Sequence, residues 1–206
     1  MDDLDLLKKD WQKPDAFNQV SEQDIYGMIH KNSASIVKWL LIISVLEFVF
    51  WTILNVVFES DVYFKDSGQK HLIDMLEYFS YGIILFFIYL LFRNYKKITT
   101  TVTTKQLMVD ILKTKKIVQY YVWYNLITIV LAIVVGVGYV FLLNPENEIL
   151  KQKFLNNTQL LFGFSILMIG IIVIFTGVFW LFYKLLYGIL LKKLYANYEE
   201  LKKIDL

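Results

Sequence analysis

Cysteine is absent from this 206-residue chain, and histidine and proline occur only twice each. The missing cysteine excludes disulfides, thiol catalysis and cysteine-held metals. The two histidines, His30 and His71, fall on opposite sides of the membrane in the topology derived below, so they cannot share a metal ion. No glycine-rich phosphate loop, H-E-x-x-H helix or nucleophile elbow occurs. No cofactor is expected, and the chain reads as a non-enzymatic protein. Its acidic opening, MDDLDLLKKD, lacks the basic region and early apolar core of a cleavable signal peptide, so the first span is expected to insert as an uncleaved anchor. Arginine occurs once, at Arg93, among 21 basic residues, a bias typical of AT-rich bacterial genomes.

Charge is also missing locally. Residues 160–183 contain none at all, and they are one of four long apolar segments: 39–58, 71–92, 117–143 and 160–183. Each has about the 20 apolar residues that a helix needs to cross a hydrocarbon core of about 30 Å. The runs are continuous rather than alternating, which argues for helices over a barrel. Hydrophobic residues make up 57% of the chain, more than a water-soluble bundle with one polar face per helix requires. The expected fold class is all-α: an integral membrane four-helix bundle with short amphipathic cytoplasmic helices. Its parts are an N-terminal segment (1–38), the four-span bundle (39–183) with a central loop (93–116), and a C-terminal helix (184–206).

Orientation follows from the lysines. The N-terminal segment, the central loop and the C-terminal tail carry five, seven and five basic residues, whereas the other two loops carry two each. Basic loops remain in the cytoplasm, so both termini and the central loop are expected inside, with the chain in the bacterial inner membrane. The first outer loop is acidic (Glu59, Asp61, Asp66) and runs into Asp74 and Glu77. His71, Asp74 and Glu77 form either a solvated outer cap or a weak cation site. The basic residues hug the membrane, which suits anionic lipid as partner and not nucleic acid.

The cytoplasmic pieces have their own periodicity. Leu4, Leu7 and Trp11 lie at helical spacing before Pro14. A second helix is expected to start at Ser21, with Asp24 completing a capping box and Ile25, Met28, Ile29 and Ile36 continuing one face into span one. The Thr-rich stretch 98–104 reads as irregular. Thr104 then caps a helix whose apolar face is Leu107, Met108, Ile111 and Leu112. Beyond Tyr183, an interfacial helix carries Leu185, Leu186, Ile189, Leu190 and Leu194. These faces lie on the membrane surface or against each other, or else dock a cytoplasmic protein partner.

Two intramembrane patterns stand out. Gly163, Gly170 and Gly177 recur every seven residues and let another helix approach closely, either within the bundle or in a homo-oligomer. Small residues Ala132 and Gly136 do the same in span three. Glu47, about nine residues into span one, is costly in lipid and is the candidate polar site. Ser44, Glu47, Trp51 and Asn55 share its stripe, and Asn125, Thr128 and Tyr81 lie at matching depth as prospective partners. Glu47 then either fixes bundle register through hydrogen bonds or binds a proton, a cation or a small substrate. The aromatic residues Trp39, Tyr120, Tyr121, Trp123, Tyr124, Trp180, Tyr183 and Tyr187 read as a belt at the cytoplasmic boundary.

The stretches IHKNSASIVKWLLIISVLEF (29–48) and ILKTKKIVQYYVWYNL (111–126) resemble uncharacterised four-span membrane proteins of Bacteroidetes-type bacteria, some labelled beta-carotene 15,15'-monooxygenase. The resemblance covers nearly the whole chain and implies a four-span bundle. It transfers no catalytic residue, because propeller-fold carotenoid oxygenases hold iron with four histidines and this chain has two. The leading expectation is therefore a multi-pass membrane protein that docks or regulates a partner. The alternative is a small transporter or channel subunit built around Glu47.

Overall fold

In the computed structural model, the chain is described over residues 21–57, 67–138 and 148–204. The helices are α1 (Glu22–Val57), α2 (Ser67–Thr100), α3 (Thr104–Gly138), the short α4 (Glu148–Leu155), α5 (Thr158–Tyr183) and α6 (Ile189–Ile204), with a π-helical turn (Lys184–Gly188) joining α5 to α6. No strand occurs among the described residues. The amphipathic turn expected around Leu4, Leu7 and Trp11 and the acidic residues Glu59, Asp61 and Asp66 lie outside the described residues.

The local signals that start these helices are visible in their hydrogen bonds. The Ser21 hydroxyl accepts from the Asp24 amide at 3.1 Å, while the Asp24 carboxylate accepts from the Ser21 amide at 3.3 Å and from its hydroxyl at 2.7 Å. This is the expected reciprocal capping box. At the start of α5, the Asn157 side chain accepts from the Gln159 and Leu160 amides.

Side-chain pairs fix how the helices run. His30 meets Ile98 and Asn55 meets Glu77, so α1 and α2 are antiparallel. Asn94 meets Thr114 and Tyr124 meets Ser80, which orients α3 against α2. Ser33 meets Asn197 and Ser44 meets Tyr187, which brings the last helix back along α1. Contacts of α1 with α2, α2 with α3, α3 with α5 and α6, and α6 with α1 close the ring. Four stretches are long and apolar enough to cross a membrane: Glu22–Val57, Asp74–Thr100, Thr104–Gly138 and Thr158–Lys203. The all-α bundle is as expected, and the chain is a membrane protein.

The bundle has two unlike halves. The core sits at the lysine-rich end: Val37, Leu40, Leu91, Ile98, Leu107, Val118 and Leu201 are fully buried, and Ile111 and Leu194 nearly so. Towards the other end the helices present apolar side chains outward, among them Val56 and Ile174 at 69% and 65% exposure. Such surfaces are tolerated where lipid replaces water as solvent.

Two expectations change here. The stretch 98–104 is largely helical: α2 runs through Thr100, and only residues 101–103 break it, because Ile98 is drawn into the core and its carbonyl accepts from His30 Nε2 at 2.6 Å. The faces of 104–116 and 184–204 turn partly inward, although Leu185 and Ile189 remain 57% and 52% exposed. Leu107, Ile111, Leu194 and Leu201 pack into the bundle core, so the amphipathic segments extend the spans and bury one another. The helices run on across positions 38, 92 and 116, and the π turn carries the chain across 183, so the cytoplasmic segments continue the spans.

Candidate functional site

Glu47 is 8% exposed and lies on the bundle-facing side of α1. Three phenols converge on its carboxylate. Tyr121 of α3 donates to Oε2 at 2.9 Å, Tyr187 of the π turn donates to Oε2 at 2.8 Å, and Tyr183 at the end of α5 donates to Oε1. All three tyrosines are at most 2% exposed. Ser44, one turn before Glu47, donates to the Leu40 carbonyl at 2.9 Å and sits 3.2 Å from the Tyr187 hydroxyl. No Lys or Arg among the described residues is ion-paired with Glu47. A carboxylate is an acceptor with two oxygens, and O–H donors replace the hydration that burial removes.

The surroundings explain why this geometry holds. Tyr183 caps the start of the π turn and Tyr187, four residues on, lies within it, and the turn resets the phase between α5 and α6. π segments of this kind are rare and concentrate at functional sites. Ring packing fixes the cage: Tyr121 meets Tyr187 edge-on at 5.8 Å and Phe87 at 5.9 Å, and Tyr183 lies 6.0 Å from Tyr187. Such aromatic pairs are worth about 0.5–1.5 kcal/mol each beyond their buried area.

The partners differ from those read by depth. Asn125 is buried, but its amide donates to the Tyr121 carbonyl at 2.8 Å, one turn back on its own helix. Thr128 likewise donates to the Tyr124 carbonyl at 2.9 Å. Asn55 is exposed and donates to Glu77, which also accepts from Tyr81 at 2.6 Å. The stripe therefore splits into two carboxyl sites: Ser44 with Glu47, and Asn55 with Glu77. The offset has a geometric cause. Glu47 is met by residues at the expected edges of spans three and four, so it lies one to two helical turns nearer the lysine-rich end than counting from Trp39 suggests. Aromatic residues assigned to a headgroup belt thus include three that face inward. The i, i+4 spacing of Tyr183 and Tyr187 was the available signal.

The remaining candidates behave separately. A Cβ added at Gly163, Gly170 or Gly177 would meet nothing within 4 Å, so no other helix among the described residues leans on them. His71 is exposed, and no group of three His, Asp or Glu residues able to hold a metal occurs among the described residues. Two further polar knots tie the lysine-rich half. Asn94 donates to the Asp110 carbonyl at 2.9 Å and to Thr114, and Asn197 donates to Ser33 at 2.9 Å while accepting from Asn32 at 3.3 Å. Two turns along α5 from Tyr183, Thr176 Oγ1 is buried without a hydrogen-bond partner.

Residues 23–206 match the model of a family described as a domain of unknown function, DUF8845. The chain belongs to that family. No curated protein and no solved structure matches it. The family's description carries no chemistry, so function has to be argued from the Glu47 site.

Proposed function

We propose that this DUF8845 protein is a small carrier or channel subunit of the bacterial inner membrane in which Glu47 binds a proton or a monovalent cation. The observation that carries the reading is the convergence of three buried phenols, from α3, α5 and the π turn, on one carboxylate within the membrane-spanning part of α1. Ionisable groups in such segments are expensive and mark ion or proton sites. A carboxylate held by hydroxyls rather than by a fixed cation accepts and releases a proton without breaking an ion pair, and the hydroxyls rotate to serve either state. The lysine distribution supports a topology with both termini in the cytoplasm, and in that topology Glu47 lies closer to that side.

Docking of a cytoplasmic partner has less to rest on. Its motive was the apolar faces of the short cytoplasmic segments at 1–38, 104–116 and 184–206; Leu107, Ile111 and Leu194 are covered by helices of the same chain, Leu185 and Ile189 are exposed, and Leu4, Leu7 and Trp11 lie outside the described residues.

The test is proton flux in proteoliposomes carrying an internal pH-sensitive dye, with pH and potassium gradients imposed in turn. Wild-type protein is expected to dissipate the gradient, and folded Glu47→Gln is expected to be silent. Equal flux from Glu47→Gln and wild type, or flux from neither, would overturn the proposal.

A further inference from the structure

A cavity of about 180 Å³ opens between α3 and the π turn, directly behind the tyrosine cage. Gln119, Trp123, Trp180, Tyr183, Lys184 and Gly188 are among the residues that line it, and no acidic side chain does. Lys184 is held at its edge with Nζ 4.7 Å from the centre of the Trp180 ring. A second cavity of about 260 Å³ lies further along the same seam, and its lining, which includes Val134, Phe164 and Ile172, is wholly apolar. The contrast matters, because both cavities face the membrane and only the first offers a cation and an amide.

We infer that the first cavity seats the headgroup of one anionic phospholipid, with the phosphate against Lys184 and Gln119 and the acyl chains descending along the apolar seam. Three observations converge on that occupant. Lys184 immediately follows the charge-free stretch 160–183 and Gln119 lies two residues into span three, so both lie at the cytoplasmic edge of the apolar spans, from which a long lysine side chain reaches the headgroup layer. Trp123 and Trp180, 63% and 49% exposed, flank the opening as interfacial indoles do. The lining has positive charge and no negative charge, complementary to an anionic headgroup. The seat is distinct from the carboxyl site, although the two share walls: the rings of Tyr183 and Tyr187 line the cavity while their hydroxyls hold Glu47. It does not depend on Glu47 moving a proton.

Two variants test the seat while keeping Glu47 and its three tyrosines in place. Lys184→Gln removes the charge. Gly188→Leu fills the cavity, since a Cβ there meets only the Lys184 side chain, at an ordinary 3.5 Å. Full-length protein in mixed micelles holding equal phosphatidylglycerol and phosphatidylcholine is analysed by native mass spectrometry. Wild type is expected to retain one phosphatidylglycerol at about five-fold preference over phosphatidylcholine, the preference that one basic residue near an anionic headgroup provides. Lys184→Gln is expected to retain the two equally, and Gly188→Leu to retain neither. Excess inorganic phosphate is expected not to displace the lipid. Equal retention by wild type, unchanged preference in Lys184→Gln, or displacement by inorganic phosphate would each overturn the assignment, the last by pointing to a soluble anion.

Discussion

Replacing Glu47 with leucine removes the acceptor shared by three donors. Tyr121, Tyr183 and Tyr187 all give their protons to Glu47, and Ser44 lies within reach of Tyr187 only. Tyr183 is then left without an acceptor at 2% exposure, whereas Tyr121 keeps Tyr187 and Asn125 within reach. A buried unsatisfied donor costs about 1–3 kcal/mol, so Glu47→Leu is expected to lose at least that much. Glu47→Gln keeps one carbonyl oxygen and adds an N–H₂ that a phenol oxygen can accept, so about 1 kcal/mol is expected there. A single Tyr→Phe removes one of three donors and should cost about 0.6 kcal/mol, the average for interhelical hydrogen bonds in a membrane. Replacing both sides of a hydrogen bond with apolar groups is nearly neutral. The quadruple variant Glu47→Leu with Tyr121→Phe, Tyr183→Phe and Tyr187→Phe should therefore be more stable than Glu47→Leu alone. Reversible unfolding in mixed micelles, followed by near-ultraviolet circular dichroism, gives the ranking. If Glu47→Leu equals wild type, or the quadruple variant is weaker than the single one, the phenols are not held by this carboxylate and the reasoning fails.

Other consequences follow from the same structure. Leu40→Ala, in the fully buried lysine-rich core, should cost about 2–5 kcal/mol, whereas Ile174→Ala, 65% exposed, should be within about 0.5 kcal/mol of wild type by the same unfolding assay. Ala at Gly163, Gly170 or Gly177 should leave stability unchanged or raise it by about 0.5–1 kcal/mol, because the new Cβ meets open space. A loss would reveal a second copy or partner helix seated there. Because the chain has no native cysteine, single cysteines at Lys97, Asn156 and Lys202 report topology without background. Lys97→Cys and Lys202→Cys should react with an impermeant maleimide only after the inner face is opened, and Asn156→Cys from outside. The opposite pattern would reverse the orientation.

Much of the architecture was legible because lipid imposes simple demands. The charge-free stretch 160–183 can only be buried in apolar surroundings, and the four apolar runs reappear as the four long helices. The Ser21–Asp24 capping box was readable because it is local, with both partners three residues apart. Glu47 and Ser44 were readable as an inward stripe because a helix places i and i+3 on one face. The tyrosine cage was not. Tyr121, Tyr183 and Tyr187 sit among aromatic residues that interfacial anchoring explains equally well, and which of them turn inward depends on the axial offset between helices. That offset is set by core packing of Leu107, Ile111, Leu194 and Leu201 at the lysine-rich end. The same packing absorbed part of the faces that periodicity alone assigned to lipid or to a partner, leaving Leu185 and Ile189 outward. Periodicity locates an apolar face but does not say what covers it.

Whether Glu47 changes protonation is decided most directly by infrared difference spectroscopy of reconstituted protein across a pH titration, with Glu47→Gln as the control. A reversible protonated-carboxyl band that is lost in Glu47→Gln and displaced in Tyr183→Phe and Tyr187→Phe is the predicted result. Absence of any Glu47-dependent band at every pH would mean that the carboxyl is locked in one state as a structural tie, contradicting its role as a proton site.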